Sequence, residues 1–179
     1  NKMIDIASDA EESINAVNVV FKEGADDIIN FSETAAREVG LSANSFRQLS
    51  TETGTLLSKM NMSQEEVAQG TIDLTKRASD LASVYNTDVN VAMDAMNQAL
   101  RGETEAIRKY GSDVTDAALQ TFLLSQGITT KVSALDQAEK AELRMQKVMA
   151  DTMVVEGDFK NTIDGVANSQ RVLAAETQD

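Results

Sequence analysis

Residues 63–85, SQEEVAQGTIDLTKRASDLASVY, contain the most regular helical pattern in the chain. Ser63 and Glu66 have the spacing of a capping box, in which each side chain binds the other residue's main-chain N–H at a helix start. Small or apolar side chains then recur at spacings of four and three, at Val67, Thr71, Leu74, Ala78, Leu81 and Tyr85. Because such a series lies along one face, the stretch predicts a helix of about six turns with a buried stripe.

The stripe also predicts which side chains form the centre of the core. The predicted core residues are Phe46, Leu74, Leu81, Tyr85 and Phe159. A Leu81→Ala substitution should then lower the free energy of unfolding by about 2–5 kcal/mol, because a buried leucine loses its contacts and leaves a cavity. Asp80 is assigned to the opposite, polar face, where its replacement by alanine should cost under about 0.5 kcal/mol.

On both sides of this stretch, glycines and capping residues mark further helices. Upstream are an opening helix, a second helix from Gly24 to Gly40 and a third capped by Ser42. The stripe of the opening helix is Ile6, Ala10, Ile14 or Ser13, Val17 and Phe21. Downstream, helices are bounded by Gly102, Gly111, Thr115, Gly127, the Asp136–Glu139 capping box and Gly157. The last helix carries the stripe Phe159, Ile163, Val166, Gln170 and Leu173. No stretch alternates with the period of a strand, so we predict an all-α, compact bundle of about eight or nine helices with short turns bounded by glycines and caps.

Three regions are expected along the chain. They are N-terminal amphipathic helices over 1–39, a helical core domain over 40–156 and a C-terminal amphipathic helix over 157–179. The chain starts at Asn1 rather than Met and ends on the polar run Glu176-Thr177-Gln178-Asp179. We therefore expect a segment of a longer protein, with both terminal regions open to continuation.

The composition restricts the possible functions. The chain has no Cys and no His, which removes disulfides, thiolate metal sites, Ser-His triads and the usual zinc sites. A net charge of −13 disfavours binding to phosphate backbones and anionic membranes. An enzymatic function would need a buried acid opposite a cleft, whereas every acid is expected at a helix cap or on a polar face. We predict no catalytic residue, cofactor or metal, and no membrane-bound part in this segment.

One polar motif has two interpretations. Arg101, Gly102 and Glu103 belong to the densest polar stretch, residues 101–105, and together with Arg108 they could contact a partner protein. The same residues are also typical of a helix end, at which a glycine adopts positive φ and Thr104 begins the next turn.

A string of short motifs along the chain resembles one protein family. The motifs are Gly40-Leu41-Ser42, Met60-Asn61-Met62-Ser63, Leu74-Thr75-Lys76, Asp80-Leu81-Ala82-Ser83, Tyr85-Asn86, Ala99-Leu100-Arg101-Gly102-Glu103-Thr104-Glu105, Arg108, Tyr110-Gly111, Leu124-Ser125-Gln126-Gly127-Ile128, Gln137-Ala138-Glu139-Lys140, Gly157-Asp158-Phe159, Asn168 and Arg171. In this order and spacing they resemble the shared helical domain of the tail tape measure proteins of long-tailed bacteriophages. The family often has Pro in place of Ala106 and Gly in place of Asn61, and both positions tolerate the change.

The resemblance implies a virion structural protein of a phage or prophage. Such proteins fill the tail tube, set tail length during assembly and leave the tube ahead of the DNA. The implied partners are the tail tube protein, tail assembly chaperones and tail-tip proteins, with self-association in the intact tail. The implied locations are the lumen of the tail tube and, during assembly, the host cytoplasm. The alternative is a cellular helical-bundle interaction module in signalling or secretion, without catalytic activity.

Overall fold

The computed structural model describes residues 2–178, and the side chains from residue 8 onward. This part of the chain folds into eleven α-helices and three 3-10 turns without a strand, which confirms the all-α prediction. The helices are α1 Lys2–Phe21, α2 Ala25–Ser32, α3 Ala35–Val39, α4 Ala43–Leu57, α5 Gln64–Val84, α6 Val89–Arg101, α7 Glu105–Arg108, α8 Asp116–Ser125, α9 Gln137–Asp151, α10 Asp158–Asn161 and α11 Val166–Glu176. The predicted burial of Ile6 lies outside the described side chains.

Helix α5, the longest of these helices, lies at the centre of the bundle. Its predicted capping box is present: Glu66 N donates to Ser63 Oγ at 3.2 Å, and Ser63 N donates to Glu66 Oε2 at 2.7 Å. Thirteen of its twenty-one residues are buried, and they lie on all sides of the helix rather than along one stripe. The helix is therefore surrounded by neighbours, chiefly α4, α6, α10 and α2.

The predicted core residues divide into four that are buried and one that is not. Phe46, Leu74 and Leu81 are fully buried, and Phe159 is 1% exposed. The prediction for Tyr85 is wrong, because this residue is 46% exposed. Helix α5 ends at Val84, so Tyr85 is the first residue past the helix and does not continue the stripe. Its ring packs nearly perpendicular to the ring of Tyr110, with the two ring centroids 5.2 Å apart.

The buried apolar side chains form two clusters. The main one contains residues from Val17 to Val155, so the helices of region 1–39 share a core with the middle of the chain. A smaller cluster of Leu119, Leu123, Val132 and Leu143 lies between α8 and α9. The turn that follows α8 is held by Gln120, which donates to Thr130 O at 3.1 Å and accepts from Val132 N at 3.0 Å.

Two predicted helices are each divided in the structure. The second breaks at Glu33 and Thr34, between α2 and α3, and the last breaks over 162–165, between α10 and α11. Asp164-Gly165 is a turn dipeptide, which accounts for the second break. The stripe predicted for the last helix is wrong as a result: Val166 is 78% exposed and Leu173 is 62% exposed.

Candidate functional site

A network of buried and half-buried polar side chains joins α5 to the two C-terminal helices. We call it the polar junction, and its members are Asp80, Ser83, Asp158, Asn168 and Arg171. The two from α5 are separated by about eighty residues of sequence from the other three, so the fold rather than local sequence brings them together.

Asp80 lies at the inner end of the polar junction and is only 6% exposed. Its Oδ2 accepts from Gly157 N at 2.9 Å, and its Oδ1 accepts from Phe159 N at 3.0 Å. Burial raises the pKa of Asp80, and this effect outweighs the two main-chain hydrogen bonds and the charge of Arg77, which lower the pKa. The prediction that Asp80 lies on a polar face is therefore wrong, and so is the expectation that every acid lies at a cap or on such a face.

Ser83 and Asn168 form the middle of the polar junction. Ser83 Oγ donates to Asp158 Oδ2 at 2.6 Å and accepts from Asn168 Nδ2 at 2.8 Å. The Asn168 amide also donates to Thr162 Oγ1 at 2.8 Å, and Asn168 is 4% exposed. Because each buried polar group has a partner, the contact avoids the cost of unsatisfied hydrogen-bonding groups.

Arg171 connects α11 to the end of α5. Its guanidinium donates to Ala82 O at 3.2 Å, to Thr87 O at 2.9 Å and to Asn168 Oδ1. Gly40 lies beside this contact with a φ of 71°, and a Cβ built there would be 3.1 Å from the Phe159 ring and 3.5 Å from Arg171 Cβ. Only glycine combines that backbone conformation with so close an approach.

A surface pocket of ≈ 420 Å³ opens next to Asp80. Its lining contains both signs of charge: Glu38, Asp73, Lys76, Arg77, Asp80, Met149, Glu156, Gly157 and Lys160. Lys160 pairs with Glu38 at 2.8 Å, and the buried Arg77 pairs with Glu156 at 2.8 Å while also donating to Met149 O at 3.0 Å. Both carboxylate oxygens of Asp80 already accept main-chain hydrogen bonds, so its chemistry here is to position α10.

The polar motif around Gly102 lies elsewhere, at the end of α6. Gly102 has a φ of 100° and ends the helix, and a Cβ built there would be 3.1 Å from the Arg144 guanidinium carbon. Arg101 pairs with Glu103 at 3.5 Å, and Arg108 pairs with Glu105 at 2.9 Å. The helix-end interpretation thus describes Gly102, while partner contact through Arg101, Glu103 and Arg108 stays a prediction.

Among the described residues, no group of three or more acids forms an arrangement that could hold a metal ion. None of the described helices is both long enough and apolar enough to span a membrane.

The sequence motifs include every residue of the polar junction, but they did not predict that these residues lie together. Asp80-Leu81-Ala82-Ser83, Gly157-Asp158-Phe159, Asn168 and Arg171 all belong to the motif string, yet none was assigned to a site. One available signal was the side of α5 away from the Leu74 stripe, where Ser79 and Ser83 are small. Small residues on a supposedly polar face indicate a second packed neighbour.

The fold and the site define an all-α helical domain closed by a polar junction. No known protein family, curated protein or solved structure matches this chain. The likeness to tape measure proteins rests on the sequence motifs.

Proposed function

We propose that this chain is a compact docking and assembly segment of a phage tail tape measure protein. The parent protein would fill the tail tube, set tail length during assembly and leave ahead of the DNA. This segment would act by contact and without catalysis, with the tail tube protein, assembly chaperones and tail-tip proteins as partners. It would lie in the tail lumen of the virion and, before that, in the host cytoplasm.

The observation that supports this proposal is the convergence of the motif string in space. Gly40 lies beside the Phe159 ring. Ser83, Asp158, Asn168 and Arg171 form one hydrogen-bonded network, and Asp80 binds the main-chain N–H groups on both sides of Asp158. Gly102, Gly111 and Gly127 all have positive φ at helix or turn ends. Glycines take such positions in many helical folds, so the support comes from the contacts between motifs that lie about eighty residues apart. Their convergence favours an inherited domain.

The folded shape supports docking rather than measurement. At ~1.5 Å per residue, a continuous helix of this chain's length would span about 270 Å. The longest helix, α5, has 21 residues, which corresponds to about 31 Å. Because the helices fold back on one another, the segment would contribute little to a ruler, and longer helices elsewhere in the parent protein would set the length.

The charge supports a protein partner. A net charge of −13 repels DNA phosphates, so the segment would not bind the genome that follows it through the tube. Nine acids against Lys2, Lys22 and Arg37 make residues 1–40 the most acidic part of the chain. A protein surface that is neutral or basic is the complementary partner for this region, and self-association in the tail would use less acidic surfaces.

The test is an in-frame deletion of this segment in the parent phage, followed by measurement of tail length in the electron microscope. We expect failed or aberrant assembly, or tails shortened by far less than about 270 Å. As a matched control, an equally long deletion within a continuous-helix part of the parent should shorten tails by about that full amount. Viable phage with tails shortened by the full length would make this segment part of the ruler and contradict the docking role.

The gene neighbourhood separates the proposal from a cellular interaction module. Tail tube, chaperone and tail-tip genes beside the parent reading frame would support the tape measure assignment. A frame lying among signalling or secretion genes would overturn it and favour the cellular module.

A further inference from the structure

The C-terminal segment 158–176, formed by α10 and α11, contributes little apolar surface to the fold. Phe159 and Ala175 are its buried apolar side chains among the described residues, while Val166 and Leu173 point into solvent. Within the described residues, the main apolar cluster runs from Val17 to Val155 and includes no member of this segment. Phe159 is therefore the one large side chain that the segment buries against the rest of the described chain.

Polar contacts hold the segment in place instead. Asp80 binds the N–H groups at the start of α10, Ser83 binds Asp158, and Arg171 binds two carbonyl oxygens near the end of α5. The pair between Arg37 and Glu176 is exposed, so it adds little. Such an interface has the polar character of contacts that form and break, because water can replace each hydrogen bond after separation.

The connection to the rest of the chain has the features of a pivot. Gly157 has a φ of 81°, and a Cβ built there would meet only the Asn161 side chain, at 3.6 Å. The preceding 3-10 turn has two exposed residues, Met153 at 65% and Val154 at 90%, and one buried residue, Val155, which belongs to the main cluster. Arg77 holds the end of α9 by binding Met149 O and Thr152, so the core side stays fixed up to this point. Gly157 itself donates to Asp80 Oδ2 at 2.9 Å, so a backbone rotation at this glycine also breaks that hydrogen bond to α5.

We propose that segment 158–176 is a latch that opens from the core as one unit, pivoting at Gly157 while α1 to α9 stay folded. Opening exposes Asp80, Ser83 and the Phe159 binding position beside Gly40. The latch is a property of the isolated chain, and its opening does not depend on the proposed role in phage tails.

Hydrogen exchange on the full chain, read by mass spectrometry or NMR, tests the latch. Amides of α11 should exchange at least about tenfold faster than buried amides of α5 and α6, because local opening requires less free energy than global unfolding. Exchange of α11 at the same opening free energy as α5 would overturn the proposal, since both would then open only together.

Ser83→Ala provides the second measurement, with Ser58→Ala as the matched control. Ser83 has two partners in the polar junction, whereas the side chain of the exposed Ser58, the first residue after α4, donates to Gly54 O of that helix. Ser83→Ala removes two hydrogen bonds, so it should speed exchange in 158–176 by at least roughly fivefold, the effect of a single lost hydrogen bond, and leave α1 and α6 unchanged. Ser58→Ala should leave 158–176 unchanged. An equal rise across all helices in Ser83→Ala would show that the segment is an inseparable part of the core.

Discussion

Asp80 supplies the capping group that helix α10 lacks in its own sequence. Gly157 is the N-cap residue of α10 and has no side chain to accept the free N–H groups of the first turn. The Asp80 carboxylate accepts two of them from a neighbouring helix, and its negative charge lies at the positive end of the helix dipole. One buried acid thus joins the longest helix of the bundle to the C-terminal segment.

Asp80→Ala should lower the free energy of unfolding at pH 7 by about 1–3 kcal/mol, because buried donors lose their acceptor. Asp73→Ala is the matched control on the same helix, since Asp73 is half-buried and binds only the exposed Gln69 amide. Asp73→Ala should change the free energy of unfolding by less than about 0.5 kcal/mol. Urea titrations measure both variants, and equal effects would show that the Asp80 hydrogen bonds contribute nothing to stability.

The raised pKa of Asp80 gives a pH dependence of defined sign. The folded chain binds the Asp80 proton more readily than the unfolded chain, whose reference pKa is 3.8. The contribution of this group to the free energy of unfolding therefore rises as pH falls through the raised pKa. The stability of the natural chain relative to Asp80→Asn should increase from pH 7 towards pH 4 in urea titrations. A constant difference would contradict the shift.

The residues that sequence reasoning misplaced share a cause. Periodicity correctly placed Leu74 and Leu81, because one apolar stripe of α5 faces α4 and α6. It carried the stripe one residue too far to Tyr85, and it could not show that α10 packs against the other side at Asp80. Asp80 is buried by a helix about eighty residues away in the sequence, and the residue pattern of α5 alone carries no information about that contact.

Helix starts can be read from the sequence where a side chain provides the cap. Ser42, Ser63, Thr115 and Asp136 each accept the expected main-chain N–H. Thr104 was expected to begin the next turn, and α7 does start after it, but its side chain makes no capping hydrogen bond. The breaks over 33–34 and 162–165 were missed because apolar spacing continued through them.

This difference between Ser63 and Thr104 can be measured. Ser63→Ala should lower the free energy of unfolding by about 1 kcal/mol, because the capping box loses one of its two hydrogen bonds. Thr104→Ala should change it by under about 0.5 kcal/mol. Chemical denaturation of the two variants beside the natural chain is sufficient, and a larger loss in Thr104→Ala would contradict the assigned capping geometry.

Two glycines inside helices should respond to alanine in opposite ways. A Cβ at Gly54 in α4 would be 2.3 Å from Phe21 Cζ of α1, whereas at Gly70 in α5 it would meet the flexible ends of Leu57 and Met145 at 3.2 and 3.3 Å. Gly54→Ala should destabilise by about 1–3 kcal/mol, because α1 and α4 must separate. Gly70→Ala should be neutral or stabilise by up to about 1 kcal/mol through helix propensity. Thermal melts followed by circular dichroism distinguish them, and stabilisation by Gly54→Ala would show that α1 is not packed there.

At the scale of the whole molecule, burial of the apolar core stabilises the fold, while repulsion between the many acidic side chains destabilises it. The main cluster joins helices from α1 to the turn after α9, which favours cooperative folding of the described chain. The net charge of −13 opposes that compaction, because folding brings acids closer together. The exposed ion pairs, such as Arg108 with Glu105, are too solvated to offset it.

The melting temperature should therefore rise when NaCl is increased from about 0.02 M to 0.5 M, since the screening length falls below the ~10 Å found at 0.1 M. Chloride is the right anion for this test, because sulfate strengthens apolar burial by itself. A double variant, Glu11→Gln with Glu12→Gln, removes two exposed acids from the most acidic region of the chain. It should melt higher than the natural chain at low salt and respond less to added NaCl, because less repulsion remains to be screened. If the natural chain instead melts lower as NaCl rises, attractive pairs outweigh the repulsion between acids, and the net charge is not what limits the stability of this fold.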